Sequence, residues 1–127
     1  MKLIWFLGLV LAAVPLFAQE SDSVYTAVEK GAEPVGGMGR FYHAAFENLE
    51  IPKDGPATFE KIFTEFIVEK DGSISNFRII KAGRGWHEVV TDAFRVAFKK
   101  VKWNPAMQDG KAVRQKVVAP IVCIKFG

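Results

Sequence analysis

The stretch Phe59-Glu60-Lys61-Ile62-Phe63-Thr64-Glu65-Phe66-Ile67-Val68-Glu69-Lys70-Asp71-Gly72-Ser73-Ile74 decides the fold. From Phe59 to Lys70 the residues alternate. Ile62, Thr64, Phe66 and Val68 fall on one face, with Lys61, Phe63, Glu65, Ile67 and Glu69 on the other. A period of two with this β-branched and aromatic content predicts a strand. Asp71-Gly72 then predicts a tight hairpin turn, because glycine accepts the positive φ such turns demand. Ile74 to Ala82 reads as the return strand, with Phe77 and Ile79 turned inward.

On the C-terminal side, Gly83-Arg84-Gly85 breaks the chain. Val90, Ala93, Phe94, Ala97, Phe98 and Val101 follow at helical spacing and predict an amphipathic helix over His87–Lys100. Lys99 and Lys100 suit its C-terminal end. Trp103-Asn104-Pro105 ends the helix, and Trp103 reads as an aromatic plug of the core. Gln108-Asp109-Gly110-Lys111 is a turn, and Val113–Phe126 a long last strand containing Pro120. On the N-terminal side, Phe41, Ala44 and Ala45, with Phe46 and Leu49, predict a helix over Arg40–Leu49 that Pro52 stops. Pro34-Val35-Gly36-Gly37-Met38-Gly39 reads as a backbone bend; it lacks the Lys-Ser/Thr ending of a phosphate loop. The order helix, strand, strand, helix, strand predicts an α+β two-layer domain. It would hold a three-stranded antiparallel sheet with two helices on its apolar face.

The composition fits one such domain. The chain has 127 residues, half of them apolar and 13% aromatic, enough for a packed core. A single cysteine excludes an internal disulfide framework, and His43, His87 and Cys123 are too few for a zinc centre. Neither a metal nor another cofactor is expected. There are 17 Lys and Arg against 14 Asp and Glu, and from Arg78 onward eleven bases face three acids. That reads as a basic, solvated face, without the interleaved aromatics of a nucleic-acid site.

Lys2 followed by the apolar run Leu3–Phe17, with Ala18 at the exit, is the pattern of a secretory signal peptide. The run is shorter than the ~20 residues of a spanning helix. The expected organisation is therefore a signal peptide over 1–18, a short flexible leader over 19–33 and the folded domain over 34–127. The expected destination is the periplasm. A retained, membrane-anchored N-terminus is the alternative.

Pro120 carries the functional reading. Proline has no N–H, so within a sheet it belongs on an edge or at a bulge. If its nitrogen faces outward, so do the backbone groups of Val118, Lys116 and Arg114, and a guest peptide can pair there. The candidate partner-binding residues are Arg114, Gln115, Lys116, Val117 and Val118. No catalytic residue is expected. His43 and His87 have no Ser or Asp at a recognised spacing, Cys123 sits in an apolar strand with nothing to lower its pKa, and Glu65 and Glu69 lack a cleft. A small secreted enzyme using His43, His87 or Cys123 is the alternative from another class.

These segments resemble a known family. Pro34-Val35-Gly36-Gly37-Met38 with Phe41-Tyr42, Asn48-Leu49 and Ile51-Pro52 looks like the opening of the TonB C-terminal domain of Bacteroidetes-type energy transducers. The likeness runs on through Phe63–Ile74, Ala93-Phe94-Arg95-Val96, Lys102-Trp103-Asn104-Pro105, Gly110-Lys111, Val113-Arg114 and Val118-Ala119-Pro120-Ile121. It covers roughly residues 34–126. It implies a periplasmic domain whose last strand pairs with the TonB box of an outer-membrane transporter and takes force from an inner-membrane motor complex. It also implies that a strand-exchanged homodimer is accessible. About fifteen leader residues reach only about 50 Å when extended, short for crossing a periplasm. A free binding module, rather than an anchored transducer, is the expectation.

Overall fold

The alternating stretch forms the centre of the structure. The computed structural model describes residues 23–47, 49–50, 58–82 and 85–125. The expected signal peptide, the loop Lys53-Asp54-Gly55-Pro56 and Phe126 lie outside them. Strand β3 (Thr58–Val68) turns at Asp71-Gly72 into β4 (Ile74–Lys81). β3 also pairs antiparallel with β7 (Lys111–Lys125) along its whole length, from Thr58 opposite Lys125 to Val68 opposite Gln115. Ile62, Thr64, Phe66 and Val68 are fully buried, the face that alternation predicted.

Helices α1 (Met38–Glu47) and α2 (Trp86–Lys100) cover that face. α2 buries Val90, Ala93, Phe94 and Ala97, the expected stripe, and adds Trp86 at its start. Both helices begin earlier than predicted, and α1 also ends earlier. Gly85 takes a left-handed conformation, φ 84°, just before α2, so glycine rather than a capping side chain sets its start. Phe41 is the hub of the core. Its ring lies 5.5 Å from Phe94, 5.3 Å from Phe98 and 5.2 Å from Trp103, two of these edge-on. Phe66 brings the sheet into the same cluster through Phe98 and Trp103. Such ring pairs contribute about 0.5–1.5 kcal/mol beyond area burial.

The α+β class with two helices holds, but the sheet exceeds three strands. Short strands β1 (Val24–Tyr25) and β6 (Ala106–Gln108) also pair with β7, β1 on the side away from β3, giving a five-stranded sheet. β2 (Glu33–Pro34) and β5 (Trp103–Asn104) make a separate two-stranded sheet. Elements of two or three residues are too short to show a hydrophobic period, so the sequence pattern does not reveal them. Nor do residues 23–33 behave as a free leader. β1 runs parallel to β7, Lys30 bridges Met107, and the Ala32 N–H donates to Gln115 Oε1 at 2.7 Å. The docking is made by backbone groups of this segment, which any residue supplies, with the Gln108 and Gln115 side chains as acceptors. Among the described residues no helix is long and apolar enough to cross a membrane.

The hairpin turn is pinned to the opposite layer. Gly72 has φ +85°, and a Cβ there would lie 2.3 Å from the Trp103 carbonyl oxygen. Phe94→Ala should therefore lower unfolding stability by about 3–5 kcal/mol in chemical denaturation, by opening a cavity under the aromatic cluster. Gly72→Ala should cost at least about 1 kcal/mol, because both its dihedral and its space forbid a side chain.

Candidate functional site

β7 has two unlike rims. One is filled by β3. On the other, β1 pairs with Arg114 and Gln115, while β6 pairs with Lys111, Ala112 and Val113 at the start of the strand. No strand among the described residues lies on that rim from Lys116 onward. The expected open rim at Arg114 and Gln115 is therefore narrowed, since β1 supplies the pairing that a guest would need there. The slanted bonds of a parallel ladder reach the neighbours of each registered residue, so the clear stretch is centred on Val118.

Backbone direction on this rim follows from two side chains. The Tyr42 hydroxyl donates to the Pro120 carbonyl at 3.1 Å, and the Thr64 hydroxyl to the Ala119 carbonyl at 2.8 Å. Thr64 stands opposite Ala119 on β3, so the Ala119 carbonyl turns toward β3 and the Pro120 carbonyl away from it. Groups along a strand alternate, and Val118 therefore presents both its N–H and its C=O outward. Pro120 is opposite Phe63 and contributes no donor to either side.

The surroundings of the rim are apolar and charged by turns. Val118 and Val122 are about half exposed on the outer sheet face. On the helix side, Tyr42 stacks on exposed Phe46 with centroids 5.6 Å apart. Partial burial raises the Tyr42 pKa above its ordinary value, so its hydroxyl stays a donor. Tyr42 and Phe46 are the site residues that sequence reasoning left unassigned. The signal was there in part: Phe41 faces the core, and on a helix the next residue points about 100° away.

Two ionic rows fix the polar residues of the strand. Glu65 takes Arg78 at 3.1 Å and Lys116 at 3.7 Å, spanning β4, β3 and β7. Arg114 Nε donates to Glu69 Oε1 at 2.6 Å and its Nη2 to Oε2 at 3.2 Å, while the Ser75 hydroxyl also donates to Glu69. Arg114 and then Ser75 hold the Glu69 carboxyl below its ordinary pKa. Lys116 and Arg114 thus lean over the outer face and leave the rim to the backbone.

The other candidates stay apart. His43 is an exposed residue on α1, 3.9 Å from Glu47, and His87 is exposed at the start of α2. Cys123 pairs with Glu60 in the ladder, and its side chain lies outside the described residues. Among those residues no three His, Cys, Asp or Glu side chains gather to hold a metal. The sequence matches no protein-family model and no curated protein.

A depressed carboxylate pKa contributes stability at pH above the ordinary Glu value, ~4.3, and that contribution fades as the pH falls through the folded-state value. Glu69→Gln should therefore flatten the stability profile between about pH 6 and pH 3, by about 1 kcal/mol for a partly solvated pair. Urea midpoints across that range check it.

Proposed function

We propose that this chain is a protein-binding module of the TonB C-terminal type that takes a short extended segment of an outer-membrane transporter as an added strand on β7. The observation that carries this reading is the outward-facing backbone of Val118 on a rim with no strand beside it among the described residues. Main-chain bonds would give affinity, and the flanking side chains would give selectivity. On one side a guest meets Val118 and Val122, on the other Tyr42 and Phe46. The signal-peptide pattern of residues 1–18 supports export to the periplasm, where such receptor segments are presented. The ordered likeness over residues 34–126 supports the family assignment. The scattered surface histidines favour binding over catalysis.

The test is an amide titration of the ¹⁵N-labelled chain with TonB-box peptides of candidate receptors. Val118 and Lys116 should shift saturably. Val118→Pro removes the outward donor without deleting a rung to β3, so it should weaken binding at least about tenfold while leaving thermal stability nearly unchanged. Silence of these amides at millimolar peptide overturns the proposal.

A further inference from the structure

The opposite edge of the sheet carries a second, separate site. β4 is the terminal strand there and, among the described residues, pairs only with β3. A cavity of about 840 Å³ lies between this edge and the C-terminal half of α2, within the range of functional pockets. Four consecutive residues, Ile74, Ser75, Asn76 and Phe77, border it. Side chains of a strand alternate, so a run of neighbours means that the cavity opens on the strand's backbone edge rather than on one face. Phe98, Val101 and Trp103 supply apolar walls.

The groove carries cations with no carboxylate partner among the described residues. Trp103 Nε1 is buried and has no hydrogen-bond partner among the described residues. Its nitrogen is closed off from solvent, so the groove meets the apolar part of Trp103 rather than this N–H. Lys99 and Lys102 are exposed on the lining, and no described carboxylate pairs with either. Arg95 also lines the groove, its charge shared with Asp92 at 2.9 Å. The opposing charge is Asp71, whose Oδ1 already accepts from the Ser73 N–H and hydroxyl. The Ser75 and Thr91 hydroxyls are spent on Glu69 and on the His87 carbonyl. Asn76, with φ +51°, marks an irregularity in the β3–β4 register. That bulge disfavours a long regular added strand and shifts the weight of recognition to side chains.

We propose that the groove between β4 and α2 binds an acidic peptide, its carboxylates meeting Lys99 and Lys102 and its apolar side chains entering beside Phe77, Phe98 and Trp103. The charge complementarity with Lys99 and Lys102 selects an anionic guest. The length of backbone edge and the apolar walls select a peptide over a small anion. This site shares no residue with the rim of β7.

The experiment is a titration of the ¹⁵N-labelled full chain with a synthetic peptide alternating Glu and Phe, its Gln-for-Glu counterpart and glutarate. The Glu peptide should shift the amides of Ile74–Phe77 and of Lys99 and Lys102 saturably, with Val118 unmoved. The Gln peptide, and a chain carrying Lys99→Glu and Lys102→Glu at these exposed positions, should each bind at least about tenfold more weakly. Equal binding of the Gln peptide overturns the role of charge. Glutarate matching the Glu peptide overturns the peptide as occupant. Shifts at Val118 without shifts at Ile74–Phe77 overturn the site itself. Because the two edges report through different amides, failure here leaves the β7 reading intact, and the reverse also holds.

Discussion

Eleven residues of β3 face eleven of β7, from Thr58 opposite Lys125 to Val68 opposite Gln115. This ladder is the constraint on which the rest depends. It joins segments more than forty residues apart in sequence, so its closure must be offset by the burial it organises. That burial is the row Ile62, Thr64, Phe66 and Val68 on β3, set beside Ala119 and Ile121 on β7 and covered by Phe41 and Phe94 from the two helices. A slip of one residue would turn every one of these to solvent. The Thr64 hydroxyl, buried and bonded to the Ala119 carbonyl, adds a polar check on the same register, since it would lose its acceptor in any other pairing.

The sheet's two edges are treated differently by the chain itself. β4 carries a register break at Asn76, and Ile80 stands as an extra residue between the pairs Thr64–Ile79 and Phe63–Lys81. β7 is covered on the rim away from β3 by β1 at Arg114 and Gln115, lacks a donor at Pro120, and has the Pro120 carbonyl taken by Tyr42. Irregularity and partial cover are common ways to keep an edge from uncontrolled pairing. What they leave uncovered is short, which suits the capture of a brief segment better than extensive self-association.

Much of this was legible in the sequence because it rests on long, strongly periodic segments. The alternation from Phe59 to Lys70 identified the buried face of β3, and Val90 to Val101 identified that of α2. Asp109-Gly110 was legible as a turn, and both residues adopt positive φ. The contribution of Val24–Tyr25 was hidden, because a two-residue parallel strand is held by backbone groups any sequence could supply. The same gap misplaced the start of the open rim at Arg114. Tyr42 was visible on the first helix, but its bond to Pro120 spans seventy-eight residues and has no local signature. The groove beside β4 was equally hidden, since Trp103 reads as core and its place on the groove wall appears only once its neighbours are in place.

The attachment of β1 has a mechanical meaning. It lies parallel to β7 through two registered pairs, whereas the strand it rests on is anchored to β3 by eleven. Releasing β1 would break two pairs and leave eleven, uncovering Arg114 and Gln115 without touching the aromatic core, so the docking of β1 sets how much of the rim is open.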